Sequence, residues 1–450
     1  MPKLWDKGYE LDRFMEEFTV GEDYILDRDL IEFDIYGNIA HAYMLSKIGI
    51  LTRSEFSRIK RCLLELLERA RRGKFEIKRE DEDVHTAVEN YLTNELGETG
   101  KKIHTARSRN DQVLLDVRMY ARERMLAVMG ELLALAGTLT RFASEHREVP
   151  MPGRTHTQRA MPSSVGLWSG AFAESLMDDL RLLKAVYSLN NQCPLGSAAS
   201  YGVPLPIDRQ MVSDLLGFER VQNNVLYANN SRGKIEAMVV FALTQITEDL
   251  SKLANDLIFF SIPELGYFSL PKEYCPGSSI MPQKLNPCPL ELTRARSAGN
   301  ISRLLQLIVT TRNLPSGYNR DFQETKWPLM KSLEVTAECL VAMRMIFEKL
   351  KVNRETLMKS FTPELFAADR ALRMAAEGKM PFREAYRKVA AELDRLEMED
   401  PVENIRSKRH IGGPGNLGLE NLAKAINAEK RALEAERRRL RSVYDGLRKL

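Results

Sequence analysis

Residues 121–142 read ARERMLAVMGELLALAGTLTRF, and their apolar positions Met125, Val128, Leu132, Leu135, Leu139 and Phe142 alternate in steps of three and four. On a helix of 3.6 residues per turn this spacing lines up one apolar seam. Such seams belong to long helices packed nearly parallel, at about 20°. Val239, Leu243, Ile246, Leu250, Leu253 and Leu257 repeat the pattern, with Thr, Gln, Glu, Asp and Lys between them. Residues 163–189, 287–312 and 322–350 also read as helices. Five long helices in mid-chain predict a bundle, and strand-like alternation is scarce, so the fold class is all-α.

Working outward, the chain divides into an N-terminal helical region (1–105), the long-helix bundle (106–352) and a smaller helical region (353–450). The last region contains a Gly-Gly-Pro-Gly break at 412–415 and a basic final helix with Arg437, Arg438, Arg439 and Arg441. A charge run on one helix reads as a solvated face rather than a nucleic-acid contact. A net charge of +4 over 450 residues produces no strong overall field, but permits a local positive pocket for an anionic small molecule. Residues 1–6, MPKLWD, lack the apolar core of a signal peptide, and no uninterrupted apolar run of membrane-spanning length is found. Cys62, Cys193, Cys275, Cys288 and Cys339 are odd in number and form no CxxC pair, which reads as reduced thiols in a cytoplasmic protein. No ligand cluster for a metal stands out, and no cofactor is expected.

Five polar segments interrupt the helical patterns, and such loops are where chemistry usually sits. They are 82–85 (EDVH), 104–112 (HTARSRNDQ), 153–158 (GRTHTQ), 277–287 (GSSIMPQKLNP) and 318–326 (YNRDFQETK). The fourth is the most informative. It places two serines after a glycine and Lys284 two residues before Asn286, read as an N-cap, with Pro287 at the first helical position. Free backbone N–H groups, the helix dipole and the lysine together make an anion site beside mobile hydroxyls.

The 277–287 segment resembles the signature loop of the fumarase/aspartase superfamily, whose members release fumarate by cleaving C–N or C–O bonds. Gln283 points to the argininosuccinate lyase/δ-crystallin branch, where fumarases and aspartases usually carry Gly or Ala. Residues 104–113 are similar to that branch's HTGRSRNDQV, with Ala106 in place of a Gly; 81–85 (DEDVH) and 378–385 (GKMPFREA) fit the same branch. The likeness runs from Lys3 to about Lys388. It implies a three-domain chain assembling as a homotetramer with a 20-helix core, cofactor-free, with active sites shared among three chains. The implied reaction is the β-elimination of argininosuccinate to arginine and fumarate. A fumarate-releasing adenylosuccinate lyase and a non-catalytic crystallin-like relative are the alternatives.

By this resemblance Ser278 is the base that removes the proton, and Lys284 and Asn286 hold the carboxylate and its developing aci form. His156 is the general acid, or relays a proton to the departing nitrogen, with Glu291 as its partner. Asp83, Arg109, Asn110, Thr155, Arg232, Tyr318, Gln323 and Lys326 carry over as substrate binders. For Arg232 a solvated side chain is the competing reading. His41, His85, His104, His146 and His410 read as structural. Three positions depart from the branch: Gly21 stands where a substrate-contacting Ser is common, Arg154 replaces a Tyr and Met161 a Gln. Geometry adds one expectation. If the helix opened by Arg109 runs unbroken to about His146, its ends lie roughly 50 Å apart, so Arg109 and His156 of one chain cannot meet around one small substrate.

Overall fold

The computed structural model describes residues 12–450, so the MPKLWD stretch lies outside the described residues. Among these there are eighteen α-helices and three two-stranded pieces of sheet. The seam at 121–142 belongs to one 37-residue helix, Arg109–Glu145, and all six of its apolar positions are buried. Ser108 starts it: its hydroxyl accepts from the Asn110 N–H, while Asp111 reaches back to the Ser108 N–H at 3.0 Å. This Arg109 helix packs against Val165–Asn190 and Lys326–Lys349. Lys234–Ser261 carries the second seam and packs on the Val165 and Lys326 helices and on Cys288–Thr311. The five-helix bundle read from periodicity is therefore present. By length and composition alone the Arg109 helix could cross a membrane, but 67% of its most apolar window is buried among the other elements.

Three helices of the N-terminal region, Ile31–Lys47, Arg53–Arg71 and Val84–Leu96, pack on one another, and the first leans on the Arg109 helix. Gly37 permits that approach, since a Cβ there would meet Leu115 Cδ2 at 2.7 Å. One apolar core runs from Leu30 through the bundle to Leu447. The final helix, Leu419–Lys449, buries Leu419, Ile426, Leu433, Leu440 and Leu447 at seven-residue intervals and lies along the Arg109 helix. Its basic face is only partly solvated. Arg438, Arg439 and Arg441 are exposed, although Arg439 also donates to the Gly217 carbonyl at 3.0 Å, and half-buried Arg437 donates to that of Leu126 at 2.8 Å. A separate small cluster around Ala371, Ala385 and Val389 holds the helices Ala367–Glu377 and Phe382–Ala391 together.

Candidate active-site residues at the two ends of the bundle

A polar pocket of about 120 Å³ opens where the Arg109 helix begins. It gathers seven of the residues expected to bind substrate: Asp83, Arg109, Asn110, Arg232, Tyr318, Gln323 and Lys326. Asp83 is placed by capping the Val84 helix, where its Oδ1 accepts from the Thr86 N–H at 2.8 Å. Its other oxygen takes Arg109 Nη1 at 2.9 Å, and Glu82 takes the same nitrogen at 3.0 Å. Arg232 is not solvated but buried, with its guanidinium 5.8 and 5.9 Å from the ring centres of Tyr318 and Phe322. Its Nη1 is enclosed and has no hydrogen-bond partner among the described residues. Gln323 donates to the Val20 carbonyl at 3.1 Å. Gly21 sits against it at φ +56°, and a Cβ there would come within 3.2 Å of Gln323 Nε2. A serine at this position would meet both strain and crowding.

Lys326 is fully enclosed, with Nζ 2.5 Å from Asp27 and 2.9 Å from Asp23. Burial opposes its charge, but the two carboxylates outweigh that and raise its pKa. Burial likewise pushes the Asp83 carboxyl up, and His85, Arg109 and the Thr86 N–H overcome it and hold Asp83 below the usual carboxylate range. Sequence reading missed Asp23, Asp27, Glu82, His85 and Arg320 as lining residues. Glu82, His85 and Arg320 stand inside segments already singled out. Asp23 and Asp27 lie in short helical turns without any motif, and nothing in the sequence marks them. His41 and His146 are structural in geometry: each ring lies 2.9 Å from a backbone carbonyl, of Thr105 and Phe142 respectively. Asp34, His85 and Asp116 are close enough to share a cation, but His85 Nδ1 is already 2.8 Å from Asp34, the geometry of an ion pair.

The remaining expected residues stand at the other end of the bundle. Thr155 and His156 are exposed at the tip of an antiparallel hairpin, Pro150–Thr155 with Gln158–Ser164, rather than in an irregular loop. His156 (φ 52°) and Thr157 (φ 60°) form its two-residue turn, both left-handed. The hairpin lies beside the end of the Lys234 helix, in a groove that also takes in Asn255, Phe259 and Ile262. Arg294, in the second turn of the Cys288 helix, donates to Asn255 at 2.8 Å and so fixes the Ser278 loop to the same end. That loop is closed by a bridge between Gly277 and Leu285. Ser278 Oγ accepts from the N–H groups of Ile280 (3.3 Å) and Met281 (3.1 Å), and Lys284 is exposed. Asn286 is not the side-chain N-cap expected. Pro287 occupies the cap position of a helix beginning at Cys288, and Asn286 instead donates from Nδ2 to the Gly277 carbonyl at 3.4 Å. Glu291 is exposed in the first helical turn, and among the described residues no hydrogen bond or ion pair joins it to His156. All five cysteines are free.

Comparison with known proteins gives a consistent result. A family model described as a lyase matches residues 7–301. An argininosuccinate lyase from Thermotoga neapolitana is 46% identical over 393 residues, covering 87% of this chain and 98% of that protein. One from Sorangium cellulosum is 42% identical, with 95% and 99% covered. Among solved structures, EDDS lyase in complex with formate superposes with a TM-score of 0.82 at 21% identity, covering 98% of this chain and 95% of that one. A class II fumarase from Schistosoma mansoni gives 0.70 at 16% identity, with 88% and 96% covered. These two likenesses are of fold alone.

Proposed function

Because this chain belongs to the argininosuccinate lyase family, we propose that it divides the work of its reaction between the two ends of its bundle. The reaction is the reversible elimination that splits argininosuccinate into arginine and fumarate. A proton leaves the carbon beside a carboxylate, the neighbouring C–N bond breaks, and the departing guanidinium nitrogen gains a proton. Ser278 takes the first proton. The observation that supports this role is the pair of backbone N–H groups, of Ile280 and Met281, that Ser278 Oγ accepts, since they would stabilise the deprotonated oxygen that takes the proton. Lys284 and Asn286 oppose the second negative charge that forms on the carboxylate. His156, oriented with the help of Thr155 and Glu291, supplies the proton to the leaving nitrogen. Asp83, Arg109, Asn110, Arg232, Tyr318, Gln323 and Lys326 hold the substrate in the polar pocket. Its mixture of carboxylates and cations suits a ligand that carries charges of both signs.

We further propose a homotetramer in which each site draws on more than one chain, within which residues 1–105, 106–352 and 353–450 act as separate regions and the middle one joins the chains. Two observations support this. The Arg109 helix of 37 residues is about 55 Å long, and the two residue sets stand at its opposite ends. The Cys288 helix also leaves Leu292, Ile301, Leu305, Ile308 and Val309 at least 46% exposed, an apolar surface of the kind monomers seldom keep.

The direct test is turnover of argininosuccinate followed by fumarate absorbance, with adenylosuccinate alongside. Ser278→Ala should lose about 10²–10⁴-fold in rate while keeping a native circular dichroism spectrum. A Ser278→Ala enzyme with the wild-type rate would overturn the assignment of the base.

A further inference from the structure

His85 stands out among the histidines. It lines the pocket, yet its side chain is only 2% exposed, with Nδ1 2.8 Å from Asp34 Oδ1 and 3.6 Å from Asp116 Oδ2. Asp34 keeps its other oxygen for Asn38 Nδ2 at 2.7 Å. Among the described residues neither oxygen of Asp116 has a hydrogen-bond partner, and His85 Nε2 is enclosed without one. Two carboxylates from different helices thus converge on one ring beneath the substrate pocket. A structural histidine would instead satisfy itself on a carbonyl, as His41 and His146 do.

Reading this pocket as the substrate site, as above, we propose that His85, held between Asp34 and Asp116, is a positioning residue. Its imidazolium keeps the Asp83 carboxylate ionised and Arg109 oriented, and its deprotonation at alkaline pH loosens substrate binding. The charged groups around it favour one direction. Asp34 faces it from the Ile31 helix, Asp116 from the Arg109 helix, Asp83 from its own segment and Asp27 from the turn before the Ile31 helix. Burial holds the Asp116 and Asp27 carboxyls up, and against the four acids stand Arg107, itself buried, and Lys326, which is paired with Asp27 and Asp23. Burial alone would discharge the ring, but the hydrogen bond to Asp34 and the charges of Asp34, Asp116 and Asp83 raise its pKa to about 9. When the proton leaves, the acids around the ring lose the cation that offsets them, and the ground beneath Asp83 and Arg109 turns more negative toward the substrate's carboxylates.

The test is a pH profile of kcat and KM for argininosuccinate on the intact oligomer, in wild type, Asp116→Asn, His85→Gln and Arg109→Ala. In wild type kcat/KM should fall above about pH 9, with KM rather than kcat carrying the change. Asp116→Asn should move that fall down by about one pH unit, because one opposing charge is removed. His85→Gln should show a raised KM at every pH and no alkaline fall. Should the variants fold poorly, wild-type protein with ¹³C-labelled histidine gives an independent reading of its six histidines. One resonance titrating near pH 9 is expected, and all six titrating below about pH 8 would overturn the inference. So would a wild-type profile in Asp116→Asn when Arg109→Ala still raises KM. If Arg109→Ala leaves KM unchanged, the pocket reading itself fails.

Discussion

Ala106 occupies a left-handed conformation, φ +65°, in the turn that delivers Arg109 to the pocket. The argininosuccinate lyase motif has glycine at this position, and the backbone supplies the reason, because a Cβ in that region collides with the neighbouring carbonyl. Ala106→Gly is expected to stabilise the fold by about 0.5–1 kcal/mol, read as a higher midpoint in denaturant at unchanged slope. A lower midpoint would mean that the methyl group is needed where it is. A second residue responds to pH. Asp179 lies on the Val165 helix and hydrogen-bonds to Asp249, on the Lys234 helix. Burial first, and then Asp249 and Asp178, push its pKa up from 3.8 to about 7. A carboxyl with a raised folded-state pKa gives its full stabilising share below the unfolded value and loses it as pH rises through the folded value. The two helices therefore hold together less well above pH 7 than below pH 4 on this account. Asp179→Asn should remove that loss, raising Tm at pH 8 by about 2–5 °C and changing it little at pH 4. Equal shifts at both pH values would show that the carboxyl pair does not share a proton.

At the scale of elements, the long helices were legible because the same three-four step persists over five or six turns, which few other structures tolerate. The hairpin carrying His156 was not. Pro150, Pro152, Gly153 and Pro162 look like loop residues, a register shift at Gly153 breaks the alternation, and the turn is His-Thr where Asn-Gly would announce it. The pocket was legible only through motifs. Arg109 and Gln323 are far apart in sequence, and the acids that pair with Lys326 belong to no periodic pattern. The start of the Arg109 helix is a further element whose role becomes visible only in three dimensions. Asp111 completes the capping box and, with Oδ2, also accepts the N–H groups of Gly196 (2.9 Å) and Ala198 (2.8 Å). One fully buried carboxylate thus ties the helix start to a distant turn. Asp111→Ala leaves three backbone donors unpaired and should cost about 2–4 kcal/mol. Because Arg109 and Asn110 ride on that helical turn, KM for argininosuccinate should rise as well. A stable variant with unchanged KM would show that the turn holds its place without the carboxylate.

For the whole molecule, the proposed roles raise the question of how residues at opposite ends of a helix about 55 Å long would serve one small substrate. Bending cannot close that distance, since the helix is continuous over its 37 residues and its apolar seam is buried along its length. A second chain packed antiparallel would set its His156 hairpin and Ser278 loop beside the first chain's Arg109 pocket, and closed symmetry would repeat the arrangement at every site. The exposed apolar face of the Cys288 helix and the exposed Ile280 on the Ser278 loop are surfaces that such packing would cover. Mixed oligomers decide the matter. His156→Asn and Arg109→Ala chains, each expected to turn over far more slowly than wild type at a fixed low argininosuccinate concentration, are unfolded together, refolded in equal amounts and assayed at that concentration. If every site takes Arg109 from one chain and His156 from another, random mixing leaves both intact in roughly a quarter of the sites, so activity should recover toward roughly a quarter of wild type. If each chain builds its own site, every site contains one defect and no activity returns. Mass measurement of the refolded species must first show that mixed oligomers have formed, and absence of recovery in such oligomers would refute the shared site.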